Sequence, residues 1–319
     1  MTTRTAEGRR GCDVTVLVLT YHPDPEKLRR TLLSILLQRD VSLEIVVADD
    51  GSEDNRREEI VDLFESHGFS DYRLVMNPRN RGTILNVISG LEVAAGEYTK
   101  CLSPGDFLAA PDALSGWLRF MREKGSDWSF SEVVNYHMED GEERISTEMA
   151  MPIYAKPYLE GDRNRARWNY VVLDDVAPGC AFMGRTELKL RYAKELADAG
   201  NKFGEDYLFR VMMFDGVCGD YYPAATVFYE YATGISSGRS KKWTQLLFGE
   251  YLRMNRLMAD RKGQDAFQRK MAKYALRKTS AFAMLFVPGK LRRFLKLHLR
   301  PRTFPVNLAD SEEWRRKCR

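Results

Sequence analysis

Short apolar runs alternate with amphipathic stretches through the first half of the chain. Asp13-Val14-Thr15-Val16-Leu17-Val18-Leu19 is dense in β-branched and apolar residues and predicts a buried strand. It stops at Thr20 to Pro25, a turn with two prolines, where Asp24 can cap a helix whose first position is Pro25. Leu28, Leu32, Ile35 and Leu36 then recur at helical spacing. A second apolar run, Leu43 to Ala48, ends in Asp49-Asp50-Gly51-Ser52. Strand, helix, strand in this order predicts two parallel strands joined by a right-handed crossover.

The pattern continues. Glu53 to Ser66 reads as a helix with early acidic residues, Tyr72 to Met76 as a strand, and Thr83 to Ala94 as a helix. Tyr98 to Leu102 is a strand ending in Ser103-Pro104-Gly105-Asp106. Pro111 to Lys124 places Leu114, Trp117, Leu118 and Met121 on one helical face, and Trp128 to Tyr136 alternates like a strand. Met151 to Asp175 has poor periodicity and reads as a long polar loop, a kind of segment that often binds ligands. Glu205-Asp206 opens a helix carrying Leu208, Val211 and Met212, and a strand lies within Val217 to Tyr231. Beyond the loop Tyr231 to Ser237 the chain turns helical: Trp243 to Asp260, then Ala266 to Phe286, broken at Pro288-Gly289. In the next stretch Leu291, Phe294, Leu295, Leu297 and Leu299 interleave with Arg292, Lys296 and Arg300.

Carboxylates at the ends of strands change the picture. In open α/β sheets, ligands bind in the crevice at the carboxyl ends of the strands. Tyr21 and Asp50 share that edge: a ring can stack on a flat base, and a carboxylate can accept its hydrogen bonds. A plain strand-to-helix turn at Asp50-Gly51, with Ser52 or Asp54 as a cap, would use the same residues.

Three blocks together resemble the family 2 glycosyltransferases. They are Val16 to Tyr21 with Leu32 to Gln38 and Glu44 to Ser52; Asn80 to Asn86 with Gly90-Leu91-Glu92 and Gly96-Glu97-Tyr98; and Ala177 to Met183 with Glu205-Asp206. The resemblance runs from about Val14 to Ser237. It implies a GT-A fold, a mostly parallel Rossmann-like sheet flanked by helices, with a nucleotide-diphosphate sugar donor and inversion at the anomeric carbon. On that resemblance Thr20, Tyr21, Asp49, Asp50, Arg81, Asn86, Ser103 and Asp106 fall on the nucleotide-sugar side. Asp206 maps onto the family's catalytic base, with Glu205 and Trp168 towards the acceptor. A sugar hydroxyl needs such a carboxylate to take its proton during attack. Without the resemblance, an acidic pair at a helix start would serve the helix dipole alone.

One departure bears on the cofactor. The family carries an Asp-x-Asp or paired-aspartate metal motif where this chain has Ser103-Pro104-Gly105-Asp106. Asp106 is thus the single candidate ligand for Mg²⁺ or Mn²⁺, with phosphate and water supplying the rest. Arg163, Arg165 and Arg167 could meet a diphosphate instead, or form a solvated charge run.

Length, charge and cysteines bound the rest. The 319 residues suffice for one large α/β domain and an appendage. The expected division is a flexible N-terminus over 1–12, a catalytic domain over 13–238 and a basic helical extension over 239–319. Five scattered cysteines without a Cys-x-x-Cys pair suit a reducing compartment, and the start lacks a signal peptide's apolar core. No apolar run reaches the ~18 residues of a membrane span. The net charge of +4 conceals an asymmetry: from Arg261 to Arg319, 17 Lys and Arg face 4 Asp and Glu. Arg292, Lys296 and Arg300 form a stripe suited to an anionic membrane surface, or to the solvated side of a helix packed on the domain. No recognition module accompanies the charge, which argues against nucleic acid. The expectation is a cytoplasmic enzyme at a membrane's inner face, acting on a glycan or lipid-linked acceptor in cell-surface polysaccharide or glycolipid biosynthesis. The competing readings are a non-catalytic nucleotide-sugar-binding or partner protein of the same fold, and a dehydrogenase. The missing Gly-x-Gly-x-x-Gly speaks against the last.

Overall fold

The computed structural model describes residues 11–146, 150–231, 241–278, 286–304 and 308–319. Most of the stretch expected to be a flexible N-terminus (1–10), most of the Tyr231 to Ser237 loop, and the end of the helix expected at Ala266 to Phe286 lie outside these residues. The strands are β1 (Cys12–Thr20), β2 (Leu43–Asp49), β3 (Tyr72–Met76), β4 (Gly96–Leu102), β5 (Phe107–Leu108), β6 (Trp128–Glu139), β7 (Glu142–Ser146), β8 (Phe182–Arg185) and β9 (Asp220–Glu230). They form one sheet in the order β3-β2-β1-β4-β8-β6-β9-β5, with β7 on β6. β1 runs parallel to both β2 and β4, and β2 parallel to β3. β8 is antiparallel to β4 and β6, while β6 and β9 run parallel.

Burial on both faces explains the continuous apolar runs. On one side Val14, Val16 and Val18 pack with α1 (Pro25–Leu36), α2 (Arg57–Ser66) and α4 (Ala113–Lys124). On the other, Leu17 and Leu19 meet α3 (Thr83–Leu91), α7 (Thr186–Asp198) and α8 (Tyr207–Asp215). Asp24 caps α1 as expected, accepting the Lys27 N–H at 3.0 Å, with Pro25 at the first position.

One region departs from the sequence pattern and a second extends it. Within Met151 to Asp175 the chain forms α5 (Lys156–Leu159) and α6 (Arg163–Val171). The arginines and asparagines of α6 blur its periodicity, so its pattern resembles a loop. Asp162 caps it through the Arg165 N–H at 3.0 Å, and Ala166, Tyr170 and Val171 bury its inner side. The second region is the far end of the chain, whose expected helices also supply core. α9 (Lys241–Ala259) and α10 (Ala266–Leu276) insert Met254, Met258, Met271, Ala272 and Ala275 into the main core. The last helix, α12 (Leu308–Lys317), seats Trp314 and Cys318 against Phe107, Val134, Tyr136 and Phe228. The Trp314 indole donates to the Leu108 carbonyl at 2.7 Å.

Between them lies α11 (Lys290–Leu299). Its inward side is the basic one. Lys290 pairs with Asp174, Arg293 reaches Asp175 at 3.5 Å, and the Lys296 ammonium sits 4.6 Å from the Tyr154 ring. Of the stripe expected to face solvent or lipid, Lys296 turns to the domain while Arg292 and Arg300 stay exposed. Among the described residues, no helix is long and apolar enough to cross a membrane.

Candidate active site

The site lies along the carboxyl ends of β1, β2 and β4. Asp49 ends β2, fully buried, and is spent on the turn. It accepts Thr20 Oγ1 at 2.8 Å, the Ser52 N–H at 2.8 Å and Ser52 Oγ at 2.7 Å. Gly51 follows at φ +82°, so close to the next loop that a Cβ would lie 2.3 Å from the Arg79 carbonyl carbon. Asp50 is buried and accepts the Arg81 and Gly82 N–H groups at 2.8 and 2.9 Å, one on each oxygen. A carboxylate has about four lone-pair sites, so Asp50 retains acceptor capacity. The Tyr21 ring is half exposed beside it in sequence register, edge-on to His22 with centroids 4.3 Å apart. The Arg81 side chain is exposed.

Asn86 is placed differently. It is buried, donates to the Ala48 carbonyl at 2.8 Å and accepts from Asn77 at 2.9 Å. Its amide holds β2 to α3. Trp168 is also remote from the strand ends. Its ring packs against Phe267 and Tyr274, with Lys270 5.2 Å above it. Arg167 donates to the Met213 and Phe214 carbonyls and so closes the end of α8 rather than offering itself to a diphosphate.

Asp106 and Asp206 do meet. Ser103, Asp106, Lys189, Glu205 and Asp206 line one cleft with about 40 Å³ of room for water, with Gly179 and Cys180 among the same lining residues. Gly105, at φ +104°, makes the tight turn into Asp106, and a Cβ there would come within 2.2 Å of Glu230 Oε2. The buried Asp106 carboxylate accepts the Glu230 N–H at 3.1 Å. Burial raises it to about 7, against the pull of that hydrogen bond and of Lys100. Lys100 is wholly buried, donates to the Cys180 carbonyl, and is lowered by burial to about 8. Lys189, from α7, donates to the Thr99 carbonyl at 3.0 Å.

Glu205 and Asp206 are neighbouring carboxyls in the same wall. Desolvation raises both, and the Asp206 charge raises Glu205 further, to about 8. A backbone hydrogen bond and then Arg210 draw Asp206 back down without cancelling its rise. The rise of Glu205 carries a stability consequence with a defined sign. The fold favours protonated Glu205, whose folded value of about 8 lies above its ordinary 4.5. Stability is full below the ordinary value and falls as pH rises towards the folded one. Glu205→Gln, always neutral, should match the parent melting temperature at pH 4 to 5 and exceed it at pH 8. Equal melting temperatures at both would contradict the assignment.

The loop before this pair is gripped by a residue that sequence reasoning missed. Glu250, buried in α9, accepts the Lys202 N–H on one oxygen at 2.8 Å. Its other oxygen takes the Phe203 and Gly204 N–H groups, both at 2.9 Å. The Lys202 carbonyl accepts the Ile84 N–H at 2.9 Å, joining this loop to the one held by Asp50. Tyr21, Asp50 and Arg81 thus border the cleft through a shared loop contact and do not line it.

These residues do not fit a resident metal of the Asp-x-Asp kind. Asp106 is one hard oxygen ligand, with acceptor capacity left beside the Glu230 N–H, and among the described residues no three His, Cys, Asp or Glu side chains come together as a metal site.

A model of the family described as Glycosyl transferase family 2 matches residues 15–188. No curated protein matches the chain in sequence. Among solved structures, S. aureus TarS is similar at 14% identity and a TM-score of 0.54, over 85% of this chain. This chain spans 44% of the length of that one. TarS residues 1–349 are similar at 15% identity over 95% of this chain and 78% of that one. Their TM-scores are 0.53 for the complex with UDP and 0.54 for that with UDP-GlcNAc. The resemblance in fold is to GT-A structures, and the family match covers more than half of the sequence. The chain belongs to glycosyl transferase family 2.

Proposed function

We propose that this glycosyltransferase moves a sugar from a nucleotide-diphosphate donor to an acceptor hydroxyl in one displacement with inversion. The observation that carries the reading is the single cleft that Asp106 and Asp206 line together at the strand ends. The base stacks on Tyr21 and uses the free lone pairs of Asp50, while the exposed Arg81 guanidinium lies by the diphosphate. Lys189 supplies positive charge in the wall as the leaving group gathers negative charge. Asp206 takes the acceptor's proton, and the oxygen attacks from the face opposite the diphosphate. The complexes of TarS with UDP and UDP-GlcNAc make uridine donors the first to try. The reading places the enzyme in the cytoplasm at a membrane's inner face, with a glycan or lipid-linked acceptor of cell-surface polysaccharide or glycolipid synthesis.

A thermal-shift panel of nucleotide sugars, each with and without Mn²⁺, tests the donor. One donor should raise the melting temperature by several degrees, and a shift unaltered by Mn²⁺ would agree with the single-carboxylate site. Turnover with that donor should give product of inverted anomeric configuration by NMR. A panel without any shift or donor turnover removes the proposal, and retained configuration removes the single displacement.

A further inference from the structure

We infer that the outward side of α11 docks on an anionic lipid surface through its leucines and Phe294, with Arg292 and Arg300 at the rim. This deepens the membrane-side placement above and rests on it. The helix is amphipathic, yet it presents the wrong side to water. Leu291, Phe294, Leu295 and Leu299 are 54%, 55%, 45% and 74% exposed, and no residue of α11 is buried. Residues 291, 295 and 299 follow i, i+4, i+8, so with Phe294 they form one stripe.

Ordinary packing would turn that stripe inward. It is held outward by ion pairs: Lys290 on Asp174, Arg293 on Asp175, and Lys296 donating to the Ile153 carbonyl at 3.3 Å. Asp174, also paired with Arg210 and Lys278, and Asp175, which also accepts the Ile153 and Tyr154 N–H groups, thus draw the basic side inward. Rolling the helix to hide its leucines would take the Arg293 charge from the buried Asp175 carboxylate, leaving it only the Ile153 and Tyr154 N–H groups.

Charge selects the occupant. Arg292 and Arg300 are exposed and pair with no carboxylate among the described residues. They belong to the stretch from Arg261 to Arg319 in which 17 basic residues face 4 acidic ones. A second copy would bring the same cations against themselves. Anionic headgroups suit them, while the apolar stripe sinks to the headgroup and acyl boundary.

Flotation of the full-length protein with vesicles tests this, using phosphatidylcholine alone and phosphatidylcholine with 30% phosphatidylglycerol. The wild type should float with the anionic vesicles and stay below with the neutral ones. The quadruple variant L291S/F294S/L295S/L299S should lose binding to background, and R292E/R300E should lose about tenfold or more. All six positions are exposed, so circular dichroism should match the wild type. If the wild type floats and both variants float equally well, membrane placement survives and α11 is not the contact. If the wild type fails to float, both fall. A wild-type dimer that the quadruple variant turns monomeric would show a second copy on the stripe and overturn the inference.

Discussion

Asp206→Asn lowers kcat by about 10²- to 10⁴-fold, the usual worth of a general base, and leaves donor KM within about twofold. The expectation follows from the surroundings of the two carboxyls. Burial and then the Asp206 charge raise Glu205 to about 8, while Arg210 offers its charge to Asp206. Asparagine keeps the shape and removes the basic oxygen. Glu205→Gln is the matched control, replacing a neutral acid with a neutral amide, and should cost much less in kcat. Purified protein, steady-state kinetics with the donor found by thermal shift, and melting curves for each variant make the test. A kcat for Asp206→Asn within threefold of the parent would deny Asp206 the base's role.

Glu250→Gln is expected to destabilise the protein by about 2–4 kcal/mol and to depress kcat more than KM. Three backbone N–H groups converge on this buried carboxylate. An amide offers one acceptor oxygen and turns an NH₂ towards donors, so at least one N–H loses its partner. Each unsatisfied buried donor costs about 1–3 kcal/mol, and the surviving bonds lose their charge assistance. The loop 202–204 leads directly into Glu205 and Asp206, so its loosening reaches the base although Glu250 touches no substrate. Denaturant titration reads the first effect and kinetics the second. A variant as stable and as fast as the parent would show that the three contacts contribute nothing.

The central sheet was legible because both its faces are covered. Two-sided burial writes itself into sequence as unbroken apolar runs, and β1 and β2 carry such runs between turn residues. Asp106 and Asp206 were legible by place, at a strand end and a helix start, and the structure puts them on one cleft. Direction was not legible. Asn86 sits in a motif of the right kind, but its amide turns to the Ala48 carbonyl. Trp168 was read in a loop; it stands on a helix whose weak periodicity hid it, and its ring goes to α10. Glu250 left no local signal, because its three partners lie 46 to 48 residues earlier. In α11 the periodicity revealed two sides, but partners distant in sequence, among them Asp174, Asp175 and the Ile153 carbonyl, draw the basic one inward.

The grip of α9 on the loop of Asp206 limits how the enzyme can be re-engineered. The family model matches residues 15–188, a stretch that holds neither Asp206 nor Glu250. A chimera built by transplanting that stretch alone would inherit a foreign base on a foreign hinge. Exchanging acceptor preference between relatives therefore requires moving the chain through Ala259 in one piece, clasp and base together.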